Sequence, residues 1–121
     1  GGWGGIGTTF IEPQAMAEYE RCFLLPGTVH SMCEDYRASA GIDLEHDRAS
    51  RALPNGAGHI ACNTLVLWGE RGVVNRLFDP LALWQAQCAA TVTGVAMAAG
   101  HFIPEELPDE TARYLKEFFH G

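Results

Sequence analysis

Lysine occurs once, at Lys116, and together with seven arginines it faces fifteen acidic residues, leaving a net charge of −7 over 121 residues. No basic stripe is available to compensate phosphates, so nucleic-acid binding is not expected. No apolar run approaches the length of about 18 residues that a membrane span needs, and no basic stretch precedes an apolar one at the N-terminus. Membrane and secretory roles are therefore not expected. Cys22, Cys33, Cys62 and Cys88 lie 11, 29 and 26 residues apart, which includes no spacing typical of a zinc knuckle or a redox pair. They are expected to be reduced, mostly buried thiols of a cytoplasmic protein. A Gly-x-Ser-x-Gly elbow is missing, and Gly69-Glu70-Arg71-Gly72 lacks the lysine and hydroxyl residue of a phosphate loop. Nucleotide binding has no support.

The chain opens Gly1-Gly2-Trp3-Gly4-Gly5 without an initiator methionine, then runs straight into patterned sequence, as a piece of a longer protein would. Residues 1 to 12 read as a packed loop. From Pro13, the residues Met16, Tyr19, Cys22 and Phe23 recur at helical spacing up to Leu25-Pro26-Gly27. Thr28 is suited to cap a second helix whose apolar stripe is Val29, Met32, Cys33, Tyr36 and Ala40, ending at Gly41. Asp43 to Arg51 reads as a polar helical turn or two, and Leu53 to Gly58 as a breaker-rich link.

Beyond the link the character changes. Ile60 to Trp68 is an apolar run closed by Gly69, the pattern of a strand buried on both faces in a parallel sheet. Pro80 to Ala90 reads as a helix, Thr91 to Met97 as a second strand, Gly100 to Pro104 as a loop, and a last helix starts near Pro108. The predicted class is α/β, with helices covering a parallel sheet. Two strands are fewer than the four to six or so usual in a sheet, which again points to a piece of a larger fold.

His101 is the sharpest chemical candidate. It follows a predicted parallel strand, where α/β folds collect their functional groups, and an imidazole there can act as a general base. A partly buried histidine bonded to backbone is the competing reading. Tyr36 is a phenol on an apolar helix face, either packing in a core or donating to an anion or leaving group. Core packing is the ordinary reading of the three tryptophans, and of them Trp3 and Trp68 are the ones considered for a substrate pocket. Asp43-Leu44-Glu45-His46-Asp47 gathers metal-ligand residue types, but neighbours on a helix diverge, so a solvated helix and no metal site are expected. Glu105, Glu106, Asp109 and Glu110 fall where negative charge suits the helix dipole. Asp79 before Pro80 reads as a helix cap.

Four segments together carry a resemblance: Met32-Cys33-Glu34-Asp35-Tyr36-Arg37-Ala38, Asp43-Leu44-Glu45-His46-Asp47-Arg48, Thr64-Leu65-Val66-Leu67-Trp68-Gly69 and Gly100-His101-Phe102-Ile103-Pro104-Glu105-Glu106. In these the chain resembles the haloacetate (fluoroacetate) dehalogenases of the α/β-hydrolase superfamily. The last two segments are shared with epoxide hydrolases and haloalkane dehalogenases, and the first two are the narrower signal. The resemblance implies the C-terminal part of an α/β-hydrolase fold. Residues 1–52 would be the end of a helical cap domain, 53–58 a linker and 59–121 the last strands and helices of the hydrolase core.

It also implies hydrolytic dehalogenation of small haloacids, haloacetate to glycolate and halide, with water as co-substrate and no cofactor. His101 would be the general base that hydrolyses an enzyme ester, and Tyr36 a cap donor to the departing halide. Gly72 stands where many α/β-hydrolases carry the acid of the triad, so that acid is expected earlier, with the aspartate nucleophile, in a part of the enzyme this chain does not contain. The isolated chain is then expected to be inactive. Asn63 replaces a common proline, and Pro54 to Gly58 looks lengthened. An epoxide hydrolase or another α/β-hydrolase is the alternative, as is a non-catalytic binding or dimerising module, and a homodimer of the parent enzyme fits the resemblance.

Overall fold

The computed structural model of the chain describes residues 7–120. Its contacts divide into two units: an all-helical one, Pro13–His59, and a sheet-containing one in which the segment 7–12 joins the residues from Ile60 onward.

In the helical unit, α1 spans Pro13–Phe23, α2 Thr28–Ser39 and α3 Ile42–Arg51, and a short 3-10 turn follows at Pro54–Gly56. Proline at the first position of α1 fits because its missing N–H is unused there. The expected cap of α2 is corrected by one residue: Gly27 holds the N-cap position, while Thr28 is already helical and its hydroxyl donates back to the Cys22 carbonyl at 3.0 Å. Ion pairs along the helices join Arg21 to Glu18 and Arg37 to Glu34. None of the three helices contains a buried residue. The apolar stripe of α2 is therefore not packed away within this unit: Val29, Met32 and Tyr36 are all exposed.

In the sheet unit, β1 (Thr64–Gly69) and β2 (Val92–Met97) run parallel in register from Thr64 opposite Val92 to Gly69 opposite Met97. β-branched and large apolar side chains favour this extended geometry. The strand begins later than the apolar run predicts, because Ile60 makes only an isolated bridge to Cys88. The connection holds α4 (Val73–Leu77) and α5 (Pro80–Gln85). The single helix expected over residues 80–90 stops at Gln85, and α4 is an addition the apolar spacing did not signal. α6 (Ile103–Glu106) begins inside the expected loop and runs past it, and α7 (Pro108–His120) closes the described chain.

The core is small and runs along the two strands to the segment after β2. Val66, Val92, Met97 and Ala99 are buried, with Met97 at 1% and Ala99 at 0% exposure. β1 is not buried on both faces, since only Val66 and Gly69 within it are fully covered. A strand with a single neighbour strand and few helices against it retains exposed surface. The cysteines also depart from expectation. All four are free, but Cys33 and Cys62 are exposed and Cys22 and Cys88 only half-buried.

Candidate active site

The strand ends generate the site. Both parallel strands stop together, at Gly69 and Met97, and the chain beyond each is tied to the other: Glu70 N–H donates to the Met97 carbonyl at 2.8 Å and Arg71 N–H to that of Ala99 at 3.0 Å. His101 thus leaves the carboxyl end of β2 four residues after the strand, beside the end of β1. A cavity of about 230 Å³ opens at this edge, lined by residues that include Trp68, Gly72, Pro80, Trp84, His101 and Ile103. Every lining residue belongs to the sheet unit.

His101 is solvent-exposed, and its ring meets that of Phe102 edge-on with centroids 5.1 Å apart. Phe102 in turn stacks on Phe10 at 5.9 Å. The imidazole therefore stands at the exposed edge of the cavity, with Phe102 against its ring.

The loop that carries it is held by a carboxylate. Glu106, whose side chain is only 7% exposed, accepts from Gly100 N–H at 2.7 Å and from Phe102 N–H at 3.2 Å. Arg71 reaches the same carboxylate at 3.4 Å and donates to the Ala98 carbonyl at 2.6 Å. From sequence, Glu106 was a helix-start charge facing a dipole. Its actual partners are backbone amides on both sides of the histidine. The available signal was an acid four residues after Phe102 just beyond a proline, close to the spacing by which a capping glutamate reaches back.

Trp68 lines the cavity, but its indole N–H is already given to Asn75 Oδ1 at 2.7 Å, and Asn75 Nδ2 holds the Glu70 carbonyl at 2.9 Å. It offers the cavity a ring and no free donor. Trp84, near the end of α5, is a second aromatic wall of the cavity. Asp79 caps α5 by accepting from Ala82 N–H at 3.1 Å. Tyr36 stands on α2 in the helical unit, 77% exposed. Trp3 lies outside the described residues. Among the described residues no cluster of three or more histidine, cysteine or acidic side chains is arranged to hold a metal, and no helix is long and apolar enough to cross a membrane.

No family model matches the chain. It is 33% identical, over 97% of its length, to a fluoroacetate dehalogenase from a Burkholderia species, of which it covers 36%. Among solved structures it matches a protein from Nostoc sp. PCC 7120 assigned as an α/β-hydrolase, with 44% identity and a TM-score of 0.82 over 97% of this chain and 38% of that one. It also matches a protein from Pseudomonas aeruginosa assigned as an epoxide hydrolase, with 36% identity and a TM-score of 0.77 over 93% of this chain and 36% of that one. The chain thus spans little more than a third of the length of these relatives. Parallel strands whose ends carry a histidine loop and a cavity, together with these likenesses, identify the fold of this chain as part of an α/β-hydrolase fold.

Proposed function

We propose that this chain serves a hydrolase that removes halide from small haloacids, converting haloacetate and water to glycolate and halide. The observation that carries the reading is the 33% identity to a fluoroacetate dehalogenase across nearly the whole chain. In the proposed reaction a carboxylate from outside this chain displaces halide from the α-carbon, forming an ester. Water then attacks the ester carbonyl as His101 takes its proton, and glycolate leaves with the carboxylate regenerated. A histidine at the mouth of a partly apolar cavity suits the second step, because it meets both water and the bound ester. Tyr36 is the proposed donor to the departing halide, within a helical segment that we read as the end of a cap domain. Four unpaired cysteines support a reducing, cytoplasmic setting.

The test is product analysis on the full-length protein with fluoroacetate, chloroacetate and styrene oxide. Release of halide with glycolate is expected. Diol from the epoxide without halide release would overturn the reading in favour of an epoxide hydrolase, the alternative favoured by the Pseudomonas likeness. The present chain alone is expected to turn over no substrate, because it supplies a base without a nucleophile.

A further inference from the structure

We propose that Glu106 is the positioning residue of His101, acting through the backbone on either side of it. This rests on the reading of His101 as general base. One carboxylate spans the two amides that flank the histidine, Oε2 taking Gly100 N–H at 2.7 Å and Oε1 taking Phe102 N–H at 3.2 Å. A loop residue is otherwise free in φ and ψ, and only a narrow range of backbone geometry brings both amides to one acceptor group. The fit is close: a Cβ on Gly100 would come within 2.8 Å of Glu106 Oε1, so glycine leaves the room the carboxylate occupies. Arg71 fixes the outer side by binding both Glu106 and the Ala98 carbonyl. The segment after β1, the segment after β2 and α6 are therefore locked to one buried acid.

The consequence is specific to one step. A base misplaced by about 1 Å can lose on the order of 100-fold in rate. In the proposed reaction only ester hydrolysis uses His101, so loosening Glu106 slows the second step and spares the first. A residue that merely supported the fold would depress both.

The experiment uses the full-length protein with chloroacetate as probe. Rapid-quench chloride release reads ester formation, and mass spectrometry of the quenched enzyme reads the ester itself. His101→Ala sets the reference by accumulating ester. Glu106→Gln keeps the size but turns an NH2 toward one of the two amides. It is expected to leave the chloride burst unchanged, lower steady turnover by about tenfold to hundredfold, and accumulate ester. Equal slowing of both steps without ester, while His101→Ala accumulates it, overturns the inference. No ester in His101→Ala overturns the base reading and this inference together. Should Glu106→Gln fail to fold, Arg71→Met keeps both amide bonds but frees the carboxylate on its outer side. Partial ester accumulation is then expected, and kinetics like those of the unsubstituted protein overturn the proposal.

Discussion

The Cα of Gly69 lies so close to the carbonyl of Gly100 that any side chain at Gly69 would overlap it. The last residue of β1 and the residue before the histidine are thus pressed backbone to backbone, which brings the β2 loop over the end of β1.

Gly69→Ala should therefore be costly. The atom it meets is backbone held by the Glu106 carboxylate, so neither side yields easily. A loss of about 1–3 kcal/mol is expected, the range for forcing a methyl group into a packed site. Urea denaturation of the two proteins measures it, and equal midpoints would contradict the close approach.

Asn75 is expected to matter through Trp68. Asn75→Ala removes the acceptor of the indole N–H and the donor to the Glu70 carbonyl. The site is partly open to water, which replaces some of both bonds, so a loss of about 1 kcal/mol is expected. The fluorescence of Trp68 should shift as its ring gains freedom, and an unchanged spectrum would argue that the bond is unimportant.

Capping of α5 gives a cleaner number. Asp79→Ala should cost about 1 kcal/mol, whereas Asp79→Asn should be close to neutral because asparagine caps as well. Thermal melting of both variants distinguishes loss of the cap from loss of charge.

Tyr36→Phe tests the halide role in the full-length protein. Deleting a donor to a leaving anion should lower the rate of halide release by on the order of 100-fold, with the ester-hydrolysis step unaffected. Fluoride accepts hydrogen bonds more strongly than chloride, so fluoroacetate should suffer more than chloroacetate. Equal turnover of both substrates by the variant and the unsubstituted protein would remove Tyr36 from the site.

On α1, the hydrogen bond from Arg21, reinforced by Cys22, holds the Glu18 carboxyl below its ordinary range. A carboxyl whose pKa is lowered by folding stabilises the fold above its unfolded value and loses that contribution as pH falls through the folded one. Glu18→Gln should therefore lower the melting temperature slightly at pH 7 and not at pH 2. The pair is fully exposed, so the difference is expected to be small and to shrink further in salt.

Much of this was legible along the chain. The apolar run ending at Trp68 and the Val-rich stretch from Val92 to Met97 read as strands, and the proline and glycine breakers separate most of the helices because they forbid or end helical backbone. The position of His101 after β2 followed from the same pattern. Asp79 was recognisable as a cap because capping is a contact across only three residues.

Contacts between distant residues were not legible. Arg71 and Glu106 are 35 positions apart and meet only because two parallel strands end at the same level. The burial of Glu106, the loss of the Trp68 donor to Asn75 and the exposure of the α2 stripe all depend on what packs beside a residue, which periodicity does not encode. By itself the sequence determined the order and type of most elements and the place of His101 after the second strand, since these follow from local backbone and side-chain chemistry. Only the tertiary structure decided which carboxylate grips the histidine loop and which aromatic rings wall the cavity, because strand register brings together groups that the chain keeps far apart.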